Sequence, residues 1–201
     1  MAEIIQDGTG KSYGAKVDVD GRLHVDSIST DRESYSSQAG NSFNLNTGII
    51  TLTNAATKNA VMYVKNNESY PLVITSLFYQ TGASTGGSGN ILVDILRNPT
   101  TGTIVSGATA VEININRNFG SSRTLDATAY KGATGLTFTN GDKALESILA
   151  TATQRIAVSA GSITLPKGAS IGINLTTPTG NTSMAVEFAI ACYLEIEEGQ
   201  V

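Results

Sequence analysis

The chain has 201 residues, enough for one all-β domain with an extension and for a core that needs no disulfide staple. Its net charge is -4 with 15% charged residues, and it carries no basic patch or stripe of the kind a nucleic-acid reader needs. A single cysteine excludes an internal disulfide, and no apolar run approaches the roughly 20 residues that span a bilayer.

The chain opens Met1-Ala2-Glu3-Ile4-Ile5, without the basic and apolar regions of a signal peptide, so synthesis and folding in a cytoplasm are expected. Gly8-Thr9-Gly10-Lys11-Ser12 ends like a phosphate-binding loop, but Ile5 stands where that motif needs its first glycine. No strand before it or helix after it is predicted either, so no nucleotide cofactor is assigned. Next comes a hairpin signal, Val17-Asp18-Val19, then Asp20-Gly21, then Arg22-Leu23-His24-Val25, because Asp-Gly between alternating apolar residues favours a type I′ turn. Asp18, Asp20 and Asp26 lack the further oxygen ligands and distal glutamate of a calcium loop, and the turn explains Asp20-Gly21. His24 is the only histidine, so with one cysteine the chain cannot assemble a thiolate–imidazole zinc site. Ser27 to Asn41 reads as a Ser-rich, charged linker. The expected organisation is therefore an N-terminal arm over 1–41, with hairpin and linker, and a β-sandwich over 42–201. An isolated hairpin is marginal in water, so the arm is expected to order against the body or a neighbouring chain.

From Phe43 onward strands alternate with turns. Strands are predicted at 43–45, 49–53, 60–65, 72–80, 91–97, 111–117, 136–138, 147–153, 155–158, 162–165, 169–175 and 185–196. Clusters such as Asn66-Asn67, Asn98-Pro99, Asn140-Gly141 and Pro166-Lys167-Gly168 separate them. This spacing implies an all-β fold, an antiparallel sandwich or jelly roll with an extended N-terminal arm. One helical candidate, Asp142 to Ala150, is rich in helix formers but short. Strand 72–79 looks apolar on both faces, so its second face needs cover from an oligomer neighbour or an overlying segment. In the last strand, Met184, Val186, Phe188, Ile190, Cys192, Leu194 and Ile196 share one face, which predicts a buried, unreactive Cys192.

No catalytic constellation emerges. Glu187, Glu195 and Glu197 read as a solvated row that discourages edge pairing. Trp is absent and aromatics make up 6% of the chain, which weakens a sugar-stacking surface. The sequon-like triplets at Asn67, Asn174 and Asn181 carry no meaning without secretion. The most partner-like feature is the loop Arg117-Asn118-Phe119-Gly120-Ser121-Ser122-Arg123, where two arginines flank an aromatic. Candidate contact residues are therefore Val17, Val19, Arg22, Leu23 and Val25 in the arm and Arg117, Phe119 and Arg123 in the loop; no catalytic, cofactor or metal residue is assigned.

The arm 15–25, Met62-Tyr63-Val64-Lys65-Asn66-Asn67, Asn98-Pro99-Thr100-Thr101-Gly102-Thr103, Asn116-Arg117-Asn118-Phe119-Gly120 and Leu165-Pro166-Lys167-Gly168-Ala169 together resemble virion structural proteins of tailed bacteriophages. The likeness is to small β-sandwich proteins that decorate or cement the head, and it is one of style across most of the chain. The resemblance implies a non-enzymatic protein on the head surface of the virion, a homotrimer bound to the major capsid protein, with no nucleic acid or membrane partner. The alternatives are a tail, neck or fibre component, or a receptor- or glycan-binding module.

Overall fold

The structure, a computed structural model, describes residues 31–111, 115–150 and 154–196, with the backbone alone for 154–162. The arm residues 1–30, including the Gly-Lys-Ser sequence, His24 and the hairpin, lie outside the described residues.

The described body is all-β: two antiparallel sheets pack face to face around one apolar core. The first sheet contains β1 (Ser42–Asn46), β2 (Ile50–Leu52), β4 (Leu72–Thr81), β7 (Ile115–Asn116), β10 (Gln154–Leu165) and β12 (Met184–Leu194). Its order is β10-β4-β12-β1-β7, with β2 also pairing to β12. The second contains β3 (Lys58–Asn66), β5 (Asn90–Arg97), β6 (Thr109–Ala110), β8 (Ala127–Lys131), β9 (Asp142–Ala150) and β11 (Ser170–Thr176). Its order is β6-β8-β3-β11-β5-β9.

The core follows the pleat. On β12, Val186, Phe188, Ile190, Cys192 and Leu194 are all buried, in the phase that their alternation predicts. Phe188 faces Tyr79 across the ladder and stacks on it, with centroids 5.8 Å apart. Ile91, Val93 and Ile95 of β5 and Ile171, Ile173 and Leu175 of β11 close the core from the other sheet.

The doubly apolar strand has a simple resolution. In β4 the register shifts against both neighbours, leaving Thr75 as a bulge between Ile74 and Ser76. An extra residue reverses the alternation, so Leu72 and Ile74 before it and Leu77 and Tyr79 after it all enter the core. Only Val73 and Phe78 are left as apolar side chains on the outer face of this strand.

Four expectations need correction. Asp142–Ala150 is strand β9, not a helix, because it pairs with β5 along its whole length. Nine residues are too few for a helix to outcompete that ladder, whatever their propensities. The segment read as linker holds α1 (Arg32–Gln38), which packs on β1 and β12. Residues 136–138 are not a strand: Leu136 and Phe138 pack instead with Val105 and Tyr130 over Ala60, Tyr63 and Ile104, as a small second core outside the second sheet. The strands expected at 155–158 and 162–165 are one bulged strand, β10. Sequence reasoning also passed over β8 and the short α2 (Thr103–Gly107). Of the strand expected over 111–117, Ile115 and Asn116 form β7, Val111 and Arg117 lie outside any strand, and 112–114 lie outside the described residues.

On the outer face of the second sheet, Asp94 is buried beneath two lysines. Lys58 donates to its Oδ2 at 2.7 Å, and the Lys143 ammonium lies 3.2 Å from Oδ1 without hydrogen-bond alignment. A bulge at Ala144 brings Lys143 and Glu146 to the same face, and they pair there. Burial alone would raise the Asp94 pKa, but the two ammonium groups outweigh it and hold the carboxyl below its ordinary value. A depressed carboxyl contributes stability above its unfolded pKa, near 3.8, and loses it as the pH falls through the lower folded value. Asp94→Asn is therefore expected to melt below wild type at pH 6, with the gap closing once the pH drops beneath about 4. A gap that stays constant down to pH 2.5 in thermal melts contradicts this assignment.

Candidate functional site

The loop 117–123 is fastened to the body at both ends. Arg117 donates its backbone N–H to Ser42 O at 2.9 Å, and its guanidinium pairs with Glu33 of α1. Asn118 Nδ2 donates to Gln38 O at 2.8 Å, tying the loop to the end of the same helix. Arg123 donates to Asn41 Oδ1 and lies 3.9 Å from Glu68. Beneath the loop, Asn116 Nδ2 donates to Gly40 O at 2.7 Å and to Arg123 O at 3.1 Å. Both arginines are thus spent on fastening the loop, and Phe119 at its tip remains 94% exposed. The arm candidates Val17, Val19, Arg22, Leu23 and Val25 lie outside the described residues.

A second feature lies on the outer face of the first sheet, where a groove of about 460 Å³ opens beside Phe78. The ladder dictates its layout. Phe78 sits opposite Ala189, which sits opposite Asn46; Gln80 sits opposite Glu187; Asn44 sits opposite Ile115. Each of these alternates with a core residue, so all project outward. The floor is the small Ala189 beside the half-buried Phe78, and half-exposed Ile115 forms an apolar side. Around them stand Asn44, Asn46, Gln80 and Glu187. Asn46 Nδ2 donates to Glu187 Oε1 at 3.0 Å while its Oδ1 accepts from the Gly48 N–H at 2.6 Å, which fixes the amide's orientation. Glu187 therefore belongs to this groove, whereas Glu195 pairs with Arg32, so the two do not form a common acidic row; Glu197 lies outside the described residues.

Sequence reasoning missed the groove. The signal available was the run of amides in the polar phase of β1, but the Thr75 bulge hid which β4 side chains join them.

Cys192 is fully buried, with Sγ 3.6 Å from Phe43 O. Burial pushes its pKa up to about 12, against a smaller downward pull from Arg117, so the thiol stays protonated and inert at neutral pH. Among the described residues no group of His, Cys, Asp and Glu could hold a metal ion, and no helix is long and apolar enough to cross a membrane. No protein-family model matches this chain, and no curated protein gives a significant match to it.

Proposed function

We propose that the chain is a non-enzymatic virion structural protein, a capsid decoration or cement protein that binds the major capsid protein and stabilises the head. In this reading it assembles as a homotrimer, with the N-terminal arm gripping the shell and the loop 117–123 meeting a neighbouring copy. The observation that carries it is Phe119, an aromatic 94% exposed on a loop fastened at both ends by Arg117 and Arg123. An apolar side chain presented on a rigid mount loses little entropy when a partner covers it, which is how interface anchors work.

Light scattering coupled to size exclusion tests the reading on the full chain. A trimer is expected at micromolar concentration, shifted by Phe119→Ser toward a monomer that still folds and melts cooperatively. A wild-type monomer that also fails to bind phage heads stripped of decoration counts against the proposal. A deletion that probes the arm must stop before Arg32, because α1 supplies the Glu33 that holds Arg117.

A further inference from the structure

We propose that Asn140 is a modification site: the neighbouring Gly141 nitrogen displaces its side-chain amide, which leaves an aspartate or an isoaspartate at that position. The inference stands apart from the assembly reading, which rests on Phe119 and the arm.

Asn140-Gly141 is the only place in the chain where glycine follows asparagine. That order matters because the attacking atom is the backbone nitrogen of the next residue. A side chain there crowds the attack, and glycine has none. Both residues are exposed, so water and hydroxide reach them. Gly141 lies just before β9, and among the described residues its N–H makes no hydrogen bond, so the nucleophile is not tied into the ladder.

The amide under attack is held from the other side. Asn140 Oδ1 accepts the backbone N–H groups of Thr100 and Thr101, each at 2.9 Å, and Nδ2 donates to Thr100 Oγ1 at 2.7 Å. Attack at Cγ puts negative charge on Oδ1. Two backbone donors at that distance are the arrangement that stabilises an acyl oxyanion. Hydroxide takes the Gly141 N–H proton, and the nitrogen bonds to Cγ to close a cyclic imide. The bond from Cγ to Nδ2 breaks, and ammonia leaves with a proton from water. A second water then opens the imide at either of its carbonyls, so no oxidant or reductant is needed.

The surroundings decide what each product does. Aspartate keeps both N–H donors, now in charge-assisted bonds, so the clip between residues 98–101 and the start of β9 holds. Isoaspartate routes the main chain through the side-chain carbon and adds an atom to it. Little slack exists for that atom, since even a Cβ on Gly141 would stand 3.2 Å from Pro99 Cα and 3.3 Å from Arg97 O. The isoaspartate form therefore opens the clip.

The test is incubation of the folded full chain at pH 8 and 37 °C, beside the same chain unfolded in guanidinium chloride, followed by tryptic digestion. The peptide from Gly132 to Lys143 carries Asn140 as its one asparagine, so an amide-to-acid mass gain in it reports this site alone. Asn140 is expected to convert before any other asparagine, and no more slowly in the folded chain than in the unfolded one. Gly141→Ala, compared in the unfolded chain so that folding does not enter, is expected to slow the conversion about tenfold. Asn140→Asp, which mimics the first product, is expected to melt like wild type. Retention of Asn140 in the folded chain while the unfolded chain converts overturns the proposal, as does earlier loss of another asparagine. A lower melt for Asn140→Asp overturns the account of the clip. None of these results bears on trimer formation, so the two readings fail separately.

Discussion

Cys192→Asp is expected to cost about 4 kcal/mol or more, enough to unfold much of the protein at ordinary temperatures. Cys192 is fully buried between Phe43 of β1 and Ile74 of β4 in the ladder, with apolar neighbours above and below on its own strand. A carboxylate there leaves water and, among the described residues, finds no free cation: Arg117, whose charge reaches this site, is already paired with Glu33. The introduced acid would lower its cost by staying protonated, so its folded pKa rises above the unfolded value. The sign follows: the deficit against wild type is full at neutral pH and shrinks as the pH falls through that raised value. Cys192→Ala removes only a small apolar group and is expected to cost roughly 1–2 kcal/mol. Urea melts of the three proteins at pH 7 measure both effects. Equal midpoints for wild type and the Asp variant would place Cys192 outside the core.

Gly132→Ala is the second large effect, of about 3 kcal/mol, or a drop near 10 °C in melting temperature. Gly132 follows β8 and donates its N–H to Val61 O at 2.9 Å, so its backbone lies directly against β3. A Cβ there would stand 2.0 Å from Ala60 O and 2.4 Å from Val61 Cα. Both are backbone atoms at the point where β3 slips register against β11, so neither can swing aside like a side-chain end. Relief requires moving β8 away from β3, which opens the second sheet and the small core around Tyr63 and Ile104. Gly107→Ala is the control: a Cβ there meets nothing within 4 Å, so its melt should match wild type within about 0.5 kcal/mol. Equal losses for the two variants would show that the clash at Gly132 is not the cause.

The two variants probe what holds the sandwich together at different levels. Cys192 tests side-chain phase, which a reader of the sequence can derive. Gly132 tests backbone proximity between segments about seventy residues apart, which no local pattern encodes.

Sequence alone determined the all-β class and the phase of β12, because the large apolar side chains of β12 alternate from Met184 to Leu194, although beyond Ile190 its second face, Ala191 and Tyr193, is buried as well. It also determined that Cys192 is a core thiol, since that position falls between Ile190 and Leu194 in the apolar phase. Tertiary structure decided the rest. Helix-forming residues at 142–150 became β9 because β5 offered a full ladder. A segment that reads as linker became α1, held by contacts to Leu194 of β12, Thr75 of β4 and Arg117 in the loop after β7. The arginines of the loop look like partner contacts in sequence, yet Arg117 pairs with Glu33 and Arg123 donates to Asn41 beside Glu68, leaving Phe119 outermost. The groove was illegible for one physical reason. A bulge at Thr75 adds a single residue to β4, and one residue reverses every later side chain between core and solvent. Local alternation cannot reveal such a shift, because only pairing with the neighbouring strands defines which residue is the extra one.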